Sequence, residues 1–324
     1  MRYSGSGSVA AFAEDLAVPV PGEELGRGRT AFVLGGGGSV GAVQVGMLRA
    51  LLEAGIRPDL VVGTSIGALN GAFLVGHLDL DGMKEMKHFW NSVQRREVFP
   101  ISPRNLVRGV LGHHNYLFTH LGLRSLITSA DLGFSRLEEA PVDVHVVATD
   151  LVSGEPIVLS RGDTVEALLA SAAIPGVFAP IVIDGRTLID GGVVANLPVR
   201  QAVELGANRL FVLPAMVGGL VTAPRSAVDM MQHSTMIATS TLARTELKEV
   251  SAFAEVHVLP MPDGGGVSMF DFGVTSTLIE RAYQLSSEWL EEEIGSLLQY
   301  SHLSRAQGDR PMLLQTDGRG SSVA

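Results

Sequence analysis

Residues 61–70 read Val-Val-Gly-Thr-Ser-Ile-Gly-Ala-Leu-Asn, a Gly-x-Ser-x-Gly element that follows a short β-branched run and precedes a small-residue helical pattern. This order predicts a sharp strand-to-helix turn with Ser65 at its apex. Gly63 and Gly67 leave room for the hydroxyl to project at the C-terminal edge of a sheet, where the helix dipole favours developing negative charge. Ser65 is therefore the candidate nucleophile, and a tight turn with an incidental serine is the alternative interpretation.

A glycine-rich loop lies upstream of this turn. The predicted buried strand Thr30–Leu34 runs directly into four successive glycines, Gly35–Gly38, and on to Gly41. Successive glycines are costly to order. They are typical of places where backbone N–H groups must approach a ligand closely, as in an anion cradle or an oxyanion hole. The loop therefore indicates a set of backbone hydrogen-bond donors.

Downstream, a carboxylate stands at the end of another predicted strand. The run Thr187–Ile189 leads into Asp190, and Gly191 and Gly192 follow, which allow neighbouring segments to come close. The pair Asp184-Gly185 offers a competing carboxylate, but it lies between two alternating apolar runs and predicts a hairpin turn. Asp190 is therefore the candidate base.

The glycine-rich loop has two rival interpretations as a nucleotide site. Gly36, Gly38 and Gly41 fit the dinucleotide fingerprint, which requires an acidic residue at the end of the next strand. That strand ends in Gly63-Thr64-Ser65 instead. A phosphate-binding P-loop requires Lys and then Ser or Thr after its last glycine, whereas Ala42-Val43 follows here. Neither nucleotide site is expected.

Three motifs, in order and spacing, resemble those of the patatin-like phospholipase family: the loop Gly35–Gly41, the turn Gly63–Gly67 and the triplet Asp190-Gly191-Gly192. Residues 170–180 and 194–198, on either side of the aspartate, are also similar to the family. The resemblance implies a serine acyl hydrolase that cleaves carboxylic ester bonds of lipids through a Ser–Asp dyad. It implies a lipid or other acyl ester as substrate and no cofactor.

The resemblance also implies a role for each matching residue. Ser65 would be the nucleophile and Asp190 the base. The oxyanion hole would be formed by the N–H groups of Gly36, Gly37 and Gly38. Many members of the family carry Arg or Lys just before the last glycine of the loop, whereas this chain has valine at position 40. A cationic contact with an anionic head group is therefore not expected.

Three other classes of protein stay open. A Ser–His–Asp α/β-hydrolase or a Ser–His acyltransferase needs a histidine, and His145, His233 and His257 are available downstream. The first class places several strands before the nucleophile, whereas Ser65 follows only the second predicted strand. The second class usually has histidine at the position of Thr64. A non-catalytic binding module with the same fold is the third interpretation.

Composition describes an acidic protein without cysteine. A chain of 324 residues with 46% apolar residues can bury a substantial core. A formal net charge of −10 disfavours nucleic acid and anionic membrane surfaces as partners. No metal site is expected, because cysteine is absent and His113, His114 and His120 lack partners at ligand spacing. We expect a cytoplasmic protein without signal peptide or membrane span, peripheral at a membrane at most.

Predicted strands and helices alternate along the chain, which predicts an α/β protein, a three-layer αβα fold with a mostly parallel central sheet. Helices are predicted from residue 40 to Gly55, from Pro198 to Gly206, and over 275–300, where the amphipathic pattern has an acidic polar face. The strands are predicted near residues 30–34, 59–62, 142–149, 155–160, 181–183, 187–190, 209–213 and 256–259.

One domain is expected over residues 29–303. Residues 1–28 and 304–324 are rich in Gly, Ser and charge without periodicity, and they are expected to be disordered tails. Within the domain, residues 79–130 break the alternation and combine basic with aromatic side chains. This stretch suits a lid or membrane-facing flap over an acyl pocket, and equally a helical insertion that completes the core.

Overall fold

The computed structural model describes residues 28–99, 115–215, 227–262 and 268–308. Its centre is an eight-stranded sheet, and a small sheet contains two further strands, β3 and β6. In chain order the strands are β1 (Thr30–Leu34), β2 (Leu60–Thr64), β3 (Tyr116–Phe118), β4 (Asp143–Asp150), β5 (Pro156–Leu159), β6 (Gly176–Phe178), β7 (Ile181–Ile183), β8 (Arg186–Asp190), β9 (Arg209–Leu213) and β10 (Glu255–Val258).

Most of the central sheet is parallel. Strands β10, β9, β1, β2 and β4 lie side by side in that order and run in one direction. Strands β5 and β8 both pair with β4 in the antiparallel direction, and β7 pairs with β8 likewise. The mostly parallel sheet is confirmed, and each predicted strand is present with its ends shifted by two residues at most. Strands β3 and β6 were not predicted.

Helices cover both faces of the sheet. Side chains alternate along β1, so that Phe32 and Leu34 pack under α1, α2 and α9, while Ala31 and Val33 pack under α7 and α8. The predicted three-layer αβα fold is confirmed. The helices are α1 (Val43–Glu53), α2 (Ile66–Gly76), α3 (Leu80–Ser92), α4 (Arg95–Val98), α5 (Leu121–Ser129), α6 (Thr164–Ser171), α7 (Val199–Glu204), α8 (Ala227–Val250) and α9 (Thr275–Gly308).

Helix boundaries differ from the prediction in two places. Residues 38–42 form a 3-10 turn, so the helix predicted from residue 40 begins only at Val43. Helix α9 continues to Gly308, so residues 304–308 of the predicted C-terminal tail are helical. The rest of that tail, and residues 1–27 of the predicted N-terminal tail, lie outside the described residues.

The register along β4 brings the ends of β2 and β8 together. Strand β5 pairs with residues 146–149 along one edge of β4. Strand β2 pairs with residues 143–147 and β8 with residues 148–150, so both lie along the other edge. The last residue of β2, Thr64, is opposite Val147, and the last residue of β8, Asp190, is opposite Ala148. The C-terminal ends of the two strands therefore meet head to head.

The stretch 79–130 is described except for residues 100–114. Its described parts are α3, α4, β3 and α5, and β3 pairs with β6. Trp90 of α3 is 1% exposed, and it belongs to the same core cluster as Leu123 and Ile127 of α5. The described parts of this stretch are therefore built into the core beside the C-terminal edge of the sheet.

Candidate active site

Ser65 connects β2 to α2 in a strained backbone conformation. Its φ is 55° and its ψ is −124°, a region that residues other than glycine rarely occupy. The flanking glycines are tightly packed, since a Cβ on Gly63 would lie 2.5 Å from Ala68 Cα and one on Gly67 would lie 2.3 Å from Leu34 O. The predicted strand-to-helix turn is therefore present, and its glycines are required by close contacts.

Ser65 and Asp190 are joined by a hydrogen bond. Ser65 Oγ donates to Asp190 Oδ2 at 2.7 Å, and the Gly192 N–H donates to Asp190 Oδ1 at 2.7 Å. The main chain of Asp190 is also fixed, because its N–H donates to Ala173 O and its carbonyl accepts from Thr149 Oγ1, each at 3.0 Å. The carboxylate is therefore held in one orientation toward the serine.

The other motif glycines lie at contacts around this pair. A Cβ on Gly191 would lie 2.3 Å from Val147 O, so only glycine lets the chain pass β4 after the aspartate. A Cβ on Gly41 would lie 2.6 Å from the Ile66 side chain, directly after the nucleophile turn. These two glycines allow the segments that carry the candidate groups to approach one another.

Burial changes the acidity of Asp190. The residue is 6% exposed. Loss of hydration raises the pKa of its carboxyl group to about 6, although the hydrogen bonds from Ser65 Oγ and the Gly192 N–H act in the opposite direction. A carboxylate with a pKa near neutrality is a stronger proton acceptor than an exposed one and is still ionised at neutral pH.

The glycine-rich loop lies beside Ser65, but its first donors are occupied. The Gly35 N–H donates to Leu213 O at 3.1 Å and continues the pairing of β1 with β9, and the Gly36 N–H donates to Asn196 O at 3.2 Å. The Gly36 N–H therefore already has an acceptor, and its role as an oxyanion donor stays a prediction. The N–H groups of Gly37 and Gly38 have no acceptor among the described residues, and Gly38 lines the same cavity as Ser65.

Sequence analysis missed a buried serine beneath the nucleophile. Ser171, at the end of α6, accepts a hydrogen bond from the Ser65 N–H at 2.7 Å and donates to Val147 O at 2.6 Å. Its side chain is completely buried. The hydroxyl therefore ties the strained turn to β4 and occupies the Ser65 N–H. Residues 170–180 had been noted as a motif, but no local pattern indicated which of them contacts Ser65.

An apolar cavity of about 70 Å³ begins at Ser65. Apart from Ser65 and Gly38, its lining consists of apolar side chains, and α3, α4 and α5 supply many of them. At its wall the ring of Phe99 is stacked on Phe178, with centroids 5.5 Å apart, and meets Phe270 edge-on at 5.2 Å. The stretch 79–130 therefore provides much of the surface that a hydrophobic substrate group would contact.

The histidines considered for a triad have other partners where their side chains are described. His145 Nδ1 is hydrogen-bonded with Ser160 Oγ, and His257 Nε2 with Glu255 Oε1, both at 2.7 Å. No group of three His, Cys, Asp or Glu residues in the described part could hold a metal ion. No described helix is long and apolar enough to cross a bilayer. The side chains of His113, His114 and His233 lie outside the description.

Comparison with known proteins gives a family match over the same region. The family model described as patatin-like phospholipase matches residues 32–203. That range covers half of the chain and includes the glycine-rich loop, the turn at Ser65 and the strand end at Asp190. The match therefore contains the candidate nucleophile, base and oxyanion loop, whereas Phe270 of the cavity wall lies outside it.

Individual relatives and a solved structure were also found. An uncharacterised NTE family protein of Mycobacterium tuberculosis is 33% identical over 182 residues, 56% of this chain and 47% of the relative. Lysophospholipase nte1 of Aspergillus terreus is 33% identical over 180 residues, 55% of this chain and 11% of the relative. This chain thus spans less than half the length of either. Human GIVD cytosolic phospholipase A2 in complex with methyl gamma-linolenyl fluorophosphonate has a TM-score of 0.45 at 13% identity, covering 91% of this chain and 62% of that one.

Proposed function

This chain belongs to the patatin-like phospholipase family, and we propose that it is a serine acyl hydrolase that cleaves carboxylic ester bonds of lipids. The observation that carries the proposal is the hydrogen bond of 2.7 Å from Ser65 Oγ to Asp190 Oδ2. This hydrogen bond joins the proposed nucleophile to the proposed base, and Ser65 also lines the apolar cavity.

The first chemical step follows from that contact. Asp190 Oδ2 accepts the hydroxyl proton while Ser65 Oγ forms a bond to the ester carbonyl carbon. The tetrahedral intermediate collapses, the leaving alcohol takes the proton from Asp190, and the acyl group stays on Ser65. Water then repeats the sequence, with Asp190 again accepting and returning the proton. General-base assistance of this kind contributes about 10²- to 10⁴-fold.

The oxyanion of each intermediate would be bound by backbone donors. The N–H groups of Gly37 and Gly38 support this role, because they have no acceptor among the described residues. The Ile66 N–H, the first of helix α2, is a third candidate donor at the position after the nucleophile. Each such donor is typically worth about 10²- to 10³-fold in rate.

The cavity supports an acyl ester with an uncharged or weakly charged head group as substrate. Its walls are apolar, so the cavity favours the acyl chain of an ester over a charged group. Val40, which replaces the basic residue of many family members, is buried and offers no charge to an anionic head group.

Labelling with a fluorophosphonate tests the proposed nucleophile. The reagent is expected to modify the peptide that contains Ser65, and Ser65→Ala is expected to abolish both labelling and hydrolysis of p-nitrophenyl esters. Rates for esters of increasing chain length then define the acyl preference. Modification of a different serine, with hydrolysis retained in Ser65→Ala, would refute the proposal.

Histidine variants decide between the dyad and a triad. Each of the nine histidines is replaced in turn by alanine, and every folded variant is expected to keep most of its esterase activity. The reason is that Ser65 Oγ donates directly to a carboxylate, with no imidazole between them. A folded histidine variant that is as inactive as Ser65→Ala would establish the Ser–His–Asp alternative instead.

A further inference from the structure

The glycine-rich loop needs external support, because glycine loses more backbone freedom on ordering than any other residue. Two buried amide side chains hold its ends. Gln44 Nε2 donates to Gly35 O at 2.8 Å and to Leu213 O at 2.9 Å, which joins the start of the loop to the end of β9. Asn70 Nδ2 donates to Gly41 O at 3.0 Å. Both ends of the loop are therefore fixed to side chains of α1 and α2.

The two amides are also bonded to each other and to a tryptophan. Asn70 Nδ2 donates to Gln44 Oε1 at 2.8 Å, and Trp90 Nε1 donates to Asn70 Oδ1 at 3.0 Å. The exposed fractions of Gln44, Asn70 and Trp90 are 0%, 2% and 1%. Buried polar groups joined in this way polarise one another and permit a single arrangement of their donors and acceptors. We refer to these three residues as the amide network.

The amide network connects the two functional parts of the candidate site. Gly37 and Gly38, whose N–H groups have no acceptor among the described residues, lie between the two fixed loop ends. At the other end of the network, Trp90 lines the apolar cavity and stacks on Phe272, with ring centroids 6.5 Å apart. The network thus links the wall of the cavity to the loop that carries the Gly37 and Gly38 N–H groups.

We propose that Gln44, Asn70 and Trp90 are positioning residues that set the direction of the Gly37 and Gly38 N–H groups toward the carbonyl oxygen of an ester bound at Ser65. The proposal rests on the proposed acyl hydrolase function. Gln44 and Asn70 line no part of the cavity, so their effect reaches the reaction only through the loop. A small displacement of oxyanion donors lowers the rate strongly, since donors must meet the oxygen at about 2.7–3.1 Å.

Replacing Gln44 tests this role against a matched control. Gln44→Met keeps the volume and removes both hydrogen bonds to the loop and to β9. Gln201 of α7 is 2% exposed and its Oε1 has no partner in the described part, so Gln201→Met makes the same chemical change at another buried glutamine. For a p-nitrophenyl ester we expect Gln44→Met to lower kcat about 10- to 100-fold with KM within about twofold. Gln201→Met is expected to keep kcat within about twofold.

Asn70→Asp is the second variant, in case Gln44→Met does not fold. It keeps an oxygen for Trp90 Nε1 but, once ionised, has no donor for Gly41 O or Gln44 Oε1. Burial raises the pKa of such a carboxyl group, and its neutral form can still donate one hydrogen bond. The kcat of Asn70→Asp relative to the wild type is therefore expected to fall as the pH rises. A merely structural role would give no such pH profile at a temperature where both proteins are folded.

The outcomes separate this inference from the proposed function. Full kcat in a folded Gln44→Met, or in Asn70→Asp at every pH, would overturn the inference while leaving the hydrolase function intact. A wild type that hydrolyses no ester would refute the function instead. Amide hydrogen exchange then tests whether Gln44 holds the glycine-rich loop in place. Exchange in residues 35–41 is expected to be faster in Gln44→Met than in Gln201→Met. Equal rates would overturn the inference.

Discussion

One aspartate precedes β8 and another ends it, and the two carboxylates have opposite surroundings. Asp184 begins the hairpin before the strand, where its φ is 50° and the φ of Gly185 is 75°, and it is exposed. Asp190 ends the strand, where it is 6% exposed and accepts hydrogen bonds from Ser65 Oγ and the Gly192 N–H. Asp184 therefore forms part of a turn, whereas Asp190 faces the hydroxyl group of Ser65.

This difference shows that position in the sheet, and not residue type, gives a carboxylate its chemistry. Asp184 lies at an antiparallel hairpin between β7 and β8 that needs only residues tolerant of positive φ. Asp190 lies where β8 meets the end of β2, and burial there raises the pKa of its carboxyl group to about 6.

The largest expected difference is in catalysis. Asp190→Asn removes the proton acceptor of Ser65 and is expected to lower kcat by at least about 10²-fold, the lower end of what a general base contributes. Asp184→Asn is the matched control, because asparagine also tolerates positive φ, and it is expected to keep kcat within about twofold. Hydrolysis of a p-nitrophenyl ester at pH 8 measures both. Equal losses in the two variants would remove the distinction.

The second expected difference is in the free energy of unfolding, which Asp190→Asn is expected to raise although it lowers kcat. The pKa of Asp190 is raised from 3.8 in the unfolded chain to about 6 in the folded protein. Between pH 3.8 and pH 6 the folded wild type therefore keeps a proton that the unfolded chain releases. Its free energy of unfolding falls by about 3 kcal/mol as the pH rises through that range. Asp190→Asn stays neutral and avoids this loss.

Urea denaturation measures this effect. The free energy of unfolding of Asp190→Asn is expected to exceed that of the wild type by up to about 3 kcal/mol at pH 8, and the difference is expected to vanish below the unfolded-state pKa of 3.8. Asp184→Asn serves as the control and is expected to show no comparable gain at pH 8. If Asp190→Asn is no more stable than the wild type at pH 8, the carboxylate is not under the desolvation described here.

The third test concerns the pH profile of the wild type. Asp190 must be ionised to accept the proton of Ser65, and its pKa is about 6. We therefore expect kcat/KM to be constant above that value and to fall about tenfold per pH unit below it. Asp184→Asn is expected to leave the profile unchanged. A profile that stays flat down to pH 4 in a folded enzyme would contradict the role given to the buried carboxylate.

The smallest expected effect extends the comparison to two serines. Ser171 Oγ accepts the Ser65 N–H at 2.7 Å beneath the nucleophile turn, whereas Ser153 Oγ accepts the Glu155 N–H at 3.2 Å in an exposed turn after β4. Ser171→Ala is expected to lower kcat about tenfold with little change in KM, because the strained turn loses a support. Ser153→Ala is expected to have no effect. Steady-state kinetics measure both variants. Equal losses of kcat would contradict the role given to Ser171.

Local patterns were sufficient for much of the fold. The turn at Ser65, the hairpin at Asp184-Gly185 and the helix between Pro198 and Gly206 follow from residues adjacent in sequence, because glycine, proline and aspartate restrict the backbone directly. Strand positions followed from apolar runs of the right length. The start of α1 was predicted too early, since the tight 3-10 turn at residues 38–42 follows from packing against α2 and residue 269.

The class of fold, the nucleophile turn and the glycine-rich loop follow from local sequence, because each depends on residues that are neighbours in the chain. Which groups come into contact depends on the folded arrangement of distant segments. Ser65 and Asp190 are 125 residues apart, and only the register of β2 and β8 on β4 brings them within 2.7 Å. The same holds for the Gly36 N–H, which Asn196 O occupies, and for the support of Ser65 by Ser171. Hydrogen bonds between distant segments are fixed by packing and register, which no local pattern encodes.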